Sequence, residues 1–217
     1  MSVKAVIFDM DGVIVDSEPI ESLAWEKILI EYKKKPIYLH SGLIHQVGAA
    51  DFNEIISRHD LSGENIEEIR IKKRGFFEEI ILKDGTLLTG VTALLKKLKK
   101  EKIKLAVASS RNERQVKIVI DRLELTKYFG AIVGYNEELR RKPFPDIFLA
   151  AAANLKIKPS LCVVIEDSES GVIAGKNAGM KVIAVPNRYT ANQDFSKADK
   201  VVNNLSEITM GTFLFKN

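Results

Sequence analysis

Asp9 and Asp11 stand two residues apart, directly after the apolar run Val3-Lys4-Ala5-Val6-Ile7-Phe8. Carboxylates make poor core residues, and a carboxylate is a nucleophile at neutral pH with no base needed to deprotonate it. Other reactive residues follow apolar runs further on. Ser109-Ser110-Arg111-Asn112 follows 104–108, and Glu166-Asp167-Ser168 follows 161–165. Between them lies Arg141-Lys142-Pro143-Phe144-Pro145-Asp146. Asp9 and Asp167, with Glu166 as a further candidate, form an oxygen-only set that suits a hard cation such as Mg2+. Serine hydroxyls, N–H groups at a helix start and a lysine suit phosphate oxygens. The set supports two-step phosphoryl transfer. Asp9 attacks phosphorus, and Asp11 protonates the leaving oxygen and then deprotonates the attacking water. Mg2+ and Lys142 would relieve the repulsion between anions.

These residues must be positioned by the elements before them. The run ahead of Asp9 reads as a buried parallel strand, and open α/β sheets bind ligands outside the carboxyl ends of their strands. Residues 17–83 show helical periods: Trp25, Ile28, Leu29, Tyr32; then Phe52, Ile55, Ile56, His59; then Ile66, Ile69, Lys73, Phe76, Phe77, Ile80. From about 84, strands and helices alternate. Strands are expected at 104–108, 131–134, 161–165, 181–185 and 200–202. Helices are expected on Val91 to Leu98, at 113–123, from Pro145 through Ala153, and at 170–178 with Gly179 at the end. This predicts an α/β protein with a Rossmann-like, mostly parallel sheet in three α/β/α layers. Its core is 1–15 and 84–217. An inserted all-helical cap, 16–83, leaves directly after the two aspartates and is expected to sit over them.

The 217 residues are 46% hydrophobic and 29% charged, the composition of a soluble globular chain with one large or two smaller domains. No stretch nears the ~20 apolar residues of a membrane span, and no signal pattern opens the chain. The single cysteine, Cys162, excludes a disulfide framework and a cysteine metal site and points to a reducing cytoplasm. The net charge of +4 comes largely from lysines such as Lys96-Lys97 and Lys99-Lys100, read as a solvated helix face. With aromatics at 7%, no nucleic-acid surface is expected. His40, His45 and His59 lack zinc-like spacing. No long apolar face is left over, so a monomer without membrane partners is expected.

Over essentially its full length the chain resembles the haloacid dehalogenase superfamily, in its beta-phosphoglucomutase-like branch with a helical cap. The stretch from Asp9-Met10-Asp11-Gly12 to Asp16-Ser17-Glu18-Pro19 is similar to the first motif. Ser109 matches the second, Lys142 within Lys-Pro-Phe-Pro-Asp the third, and Glu166-Asp167-Ser168 with Gly171 the fourth. The resemblance implies Asp9 as nucleophile and Mg2+ ligand, and Asp11 as acid/base with its main-chain carbonyl on the metal. It implies Asp167 as a ligand, Glu166 as another candidate, and Ser109, the Ser110 backbone and Lys142 as the phosphoryl cradle. Aspartate at position 11 favours phosphoryl transfer over dehalogenation.

Two departures stand out. Arg141 replaces the family's usual glycine, either adding a cation near the phosphate or pointing to water. Glu21 stands where the sugar-phosphate mutase and many related phosphatases carry histidine, which weakens a mutase reading. Lys72, Lys73 and Arg74 sit where the family's cap touches substrate, with a solvated face as the other reading. Candidate substrate residues are thus Glu21, Lys73, Arg74, Arg111 and Asn112. Trp25 and Phe76-Phe77 are expected in the cap's own core. The expected activity is a Mg2+-dependent phosphatase for a small, phosphosugar-like metabolite. The alternatives are a phosphosugar mutase and, from another class, a non-catalytic binding or regulatory protein on the same fold.

Overall fold

The structure is a computed structural model and describes residues 3–34 and 52–215. The chain divides into two compact units, Met1–Val15 with Thr86–Asn217, and Asp16–Gly85. In chain order the main elements are β1 (Ala5–Phe8), α1 (Glu18–Glu31), α2 (Phe52–Arg58), α3 (Ile66–Asp84), α4 (Val91–Lys100), β2 (Lys104–Asn112) and α5 (Glu113–Arg122). Then come β3 (Ala131–Tyr135), α6 (Asp146–Leu155), β4 (Cys162–Glu166), α7 (Glu169–Asn177), β5 (Lys181–Ala184) and β6 (Lys200–Val201).

The first unit is built on a six-stranded sheet of order β3-β2-β1-β4-β5-β6, parallel throughout. All four β1 residues are fully buried, as a central strand covered on both faces requires. Ala5 and Ile7 share a core with Phe148, Ala151 and Ala152 of α6 and Val172 and Ala174 of α7. Val6 and Phe8 point the opposite way, where Phe8 meets the edge of the Phe129 ring at 6.1 Å. Helices α4 and α5 pack against β2 and β3 and add nothing to the first core, so they cover the other face. This is the expected three-layer α/β fold. Strand order reverses between β1 and β4, which places a ligand crevice beyond the carboxyl ends of those two strands.

Several boundaries differ from the sequence reading, each for a local reason. Strand β2 runs past its apolar run to Asn112, with a register shift between Ser109 and Asn112. Pro145 caps α6 from outside, and the helix opens at Asp146. Helix α7 ends at Asn177, and Gly179 takes the left-handed conformation (φ 72°) just beyond it. After β1 the chain turns back through Gly12 (φ 74°), whose N–H donates to the Val15 carbonyl at 2.9 Å. Val15 then bridges to Leu87. Helix α3 continues to Asp84 and is capped by Gly85, so the chain rejoins the sheet unit at Thr86 rather than 84.

The second unit is helical in its described residues. Trp25, Ile28, Leu29, Ile55, Ile56, Leu61 and Ile69 form its core, with Phe52 and Phe76 partly buried against it. Trp25 and Phe76 therefore pack as expected. His40 and His45 lie outside the described residues; His59 follows α2, with its pKa lowered by burial and then by Arg58. Among the described residues no helix is long and apolar enough to cross a membrane.

The short edge strand β6 is held by one carboxylate. Asp199 accepts from Lys176 Nζ at 2.6 Å, Lys181 Nζ at 2.8 Å and the Val182 N–H at 2.9 Å. Burial alone would raise its pKa, but the two lysines and the amide outweigh that and the net shift is downward. A depressed carboxylate stabilises the fold above its unfolded value and loses that contribution as pH falls through the folded one. Asp199→Asn is therefore expected to cost about 1–3 kcal/mol at pH 7, as charged hydrogen bonds do. The difference from wild type should begin to shrink near the ordinary carboxylate value of about 4 and be lost only as pH falls through the lower, folded one, as read by denaturant titration at a series of pH values.

Candidate active site

Asp9 ends β1, with its N–H on the Ile165 carbonyl at 2.9 Å, so the β1/β4 pairing itself fixes where its side chain starts. The carboxylate is buried and accepts from Lys142 Nζ at 2.5 Å. Lys142 Nζ also donates to Glu166 Oε1 at 2.6 Å, and its side chain is only 8% exposed. Burial would lower the lysine pKa, but Asp9 and Glu166 overcome it and hold the ammonium protonated. Burial raises the Asp9 pKa to about 7, against the pull of Lys142 and with the push of Glu166 and Asp11. Asp167 is likewise raised, first by burial and then by Glu166 and Asp9.

Glu166 ends β4 and has both oxygens engaged. Its Oε2 accepts from the Ser168 N–H at 2.7 Å and the Ser168 hydroxyl at 2.9 Å. Ser168 in turn caps α7, accepting from the Gly171 N–H at 3.1 Å. A Cβ on Gly171 would lie 1.6 Å from Glu166 Oε1, so glycine at this position is what lets the glutamate lie against the helix.

Asp11 sits in the turn after β1. Arg111 Nε donates to both its oxygens, at 2.9 and 3.0 Å, and Ser109 Oγ to Oδ2 at 3.2 Å. Ser109 is fully buried and also accepts the Arg111 N–H at 3.2 Å. The irregularity in β2 thus turns Arg111 back over the aspartate and leaves Ser110 exposed.

Asn112 is engaged by its own helix. Its side chain caps α5, accepting from the Gln115 N–H and donating to Gln115 Oε1, both at 2.9 Å. Arg141 is exposed, in line with the reading that it points to water, and its guanidinium stacks 3.9 Å from the centre of the Tyr135 ring.

In the helical unit, Glu21 is buried and forms an ion pair with Lys73. Lys73 is 18% exposed, which departs from a solvated face: its ammonium lies 5.6 Å from the centre of the Trp25 ring. Lys72 pairs with Glu31 and Glu68, and Arg74 with Glu67 at the surface. The sheet edge therefore gathers Asp9, Asp11, Ser109, Arg111, Lys142, Glu166 and Asp167, while Glu21, Lys73 and Arg74 belong to the other unit.

Asn187 escaped the sequence reading. Its Nδ2 donates to Asp167 Oδ2 at 2.7 Å. A signal was present, since Asn187 follows the apolar run of β5 as the aspartates follow theirs, but it carries no charge and reads as an ordinary turn residue.

Asp9, Glu166 and Asp167 each bring a carboxylate oxygen within 4.8 Å of the others. Four carboxylates with Asp11 face two cations, Lys142 and Arg111. An all-oxygen donor set with excess negative charge, in which burial and then the neighbouring carboxylates raise Asp9 and Asp167, fits a divalent hard cation.

A doubly wound sheet with this chemistry at its strand reversal has the layout of an enzyme core. The chain belongs to the haloacid dehalogenase-like hydrolases, whose family model matches residues 6–185. It is 35% identical over 215 residues to beta-phosphoglucomutase of Bacillus subtilis (strain 168), covering 95% of this chain and 92% of that protein. It is also 35% identical over 185 residues to the phosphorylated carbohydrates phosphatase of Thermotoga maritima, covering 83% of each. The crystal structure of CbbY from Rhodobacter sphaeroides in complex with phosphate shares the fold at a TM-score of 0.82 and 24% identity, over 94% of this chain and 96% of that one.

Proposed function

We propose that this protein is a Mg2+-dependent phosphatase that hydrolyses a small phosphorylated metabolite, of phosphosugar type, through a phospho-aspartate on Asp9. The observation that carries the reading is the buried Asp9 carboxylate, bonded to Lys142 and clustered with Asp167 and Glu166 at the strand reversal. An Asp9 oxygen attacks phosphorus as the bond to the ester oxygen breaks. Asp11 gives that oxygen its proton. Asp11 then takes a proton from water, which attacks the phospho-aspartate, releases inorganic phosphate and restores Asp9. Ser109 and Arg111 hold Asp11 for both proton transfers. Lys142 and the backbone at Ser110 bind phosphoryl oxygens, and Glu166 aims the lysine rather than serving chiefly as a metal ligand. Asp9, Asp167 and the Asp11 carbonyl would hold Mg2+, which when bound offsets the charge of nucleophile and phosphoryl group. Two relatives named for phosphorylated carbohydrates support the substrate class.

A mutase is the second reading, favoured by the extent of the match to beta-phosphoglucomutase. The buried Glu21–Lys73 pair weighs against it, because a paired carboxylate replaces the histidine expected of that chemistry. Incubation with β-glucose 1-phosphate and other phosphate monoesters in Mg2+ separates the two. The expected result is release of inorganic phosphate that stops with EDTA and returns with added Mg2+. Hexose 6-phosphate as the main product would establish the mutase instead. Turnover undiminished by EDTA would refute the metal requirement.

A further inference from the structure

We infer that Asn187 is a positioning residue that locks Asp167 in a one-oxygen presentation suited to Mg2+; this rests on the metal role proposed for Asp167. The amide of Asn187 has its orientation settled by the turn around it. Its Oδ1 accepts the Tyr189 N–H at 2.8 Å, its backbone N–H donates to Thr190 Oγ1 at 3.1 Å, and its carbonyl accepts the Thr190 N–H at 3.1 Å. With the oxygen taken, the NH2 group is the face left for Asp167, and it donates to Oδ2 at 2.7 Å. The same NH2 lies 3.5 Å from the Gly12 carbonyl, in the turn that carries Asp11.

Packing closes the arrangement. A Cβ on Gly12 would lie 2.1 Å from Asp167 Oδ2 and 2.8 Å from Asn187 Nδ2. The loop after β5, the loop after β4 and the turn after β1 therefore interlock at one carboxylate. With Oδ2 bonded to Asn187, Oδ1 is the Asp167 oxygen that would be offered to a cation. Mg2+ demands strict octahedral geometry and is met by single oxygens, whereas the larger Ca2+ accepts both oxygens of one carboxylate. Asn187 thus contributes selectivity as well as affinity.

Calorimetric titration of Mg2+ alone, and of Ca2+ alone, into the full chain tests this. Asn187→Ser keeps a side-chain oxygen for the Tyr189 N–H, as serine turns do, but falls short of Asp167. It is expected to weaken Mg2+ binding about 10- to 100-fold, the usual effect of removing a partner of a metal ligand, and Ca2+ binding less. Should that variant not fold, Asn187→Ala carries the same expectation. Wild-type Mg2+ affinity and Mg2+/Ca2+ preference in a folded variant, with Asp167→Asn losing Mg2+, overturns the role of Asn187 alone. Undiminished Mg2+ binding in Asp167→Asn overturns the metal assignment and this inference with it.

Discussion

Asp9→Asn is expected to lower kcat on the best phosphate monoester by about 10^4-fold or more, the scale at which nucleophile replacements fall. The amide matches the carboxylate in volume and can still accept the Lys142 hydrogen bond, but it is neutral and a poor nucleophile. Lys142 also keeps Glu166 as its charged partner, so the fold has no reason to fail. Removing one of the clustered buried carboxylates relieves repulsion, so the variant should melt no lower than wild type in metal-free buffer. Steady-state phosphate release and a thermal melt on the same sample check both expectations. Wild-type turnover by a folded Asp9→Asn would sink the nucleophile assignment.

Lys142→Met is expected to damage stability as well as activity. The lysine is the buried cation between Asp9 and Glu166, and the substitution leaves two buried carboxylates facing one another without it. Removing one partner of a buried charge pair costs about 3–5 kcal/mol. Mg2+ can take over part of that neutralising role, so it should raise the melting temperature of the variant more than that of wild type. Catalysis should not return with it, because the phosphoryl group has lost a binding cation. Denaturant titrations with and without Mg2+ give the comparison. A variant within about 0.5 kcal/mol of wild type, the range of ordinary surface changes, would show that Lys142 does not hold the carboxylates together.

Much of the site was legible because each component follows an apolar run that can only be a strand. Asp9 after Phe8 and Asp167 after Ile165 and Glu166 are read from the run before them, and parallel strands must present such residues at one edge. Residues whose placement depends on an irregularity were harder to read. The bulge in β2 decides that Ser109 is buried, that Ser110 is exposed and that Arg111 folds over Asp11, and no residue type in Ser109-Ser110-Arg111-Asn112 announces it. Asn112 has the chemistry of a substrate contact and of a helix cap alike, and the cap won because α5 begins at the next residue. Lys73 falls on the apolar period of its helix, yet its residue type reads as solvated; its partner, Glu21 of α1, is a tertiary pairing that periodicity does not record.

The bridge between Val15 and Leu87 has a further meaning. The chain leaves the sheet unit and rejoins it at neighbouring points on one short ladder, so residues 16–85 are attached as a closed detour. Insertions anchored this way are tolerated because the host backbone keeps its own hydrogen bonds whatever the detour contains. The architecture is therefore modular: a fixed chemical engine made from strand ends, and an exchangeable attachment whose rewriting leaves Asp9, Lys142 and Asp167 where the strands put them.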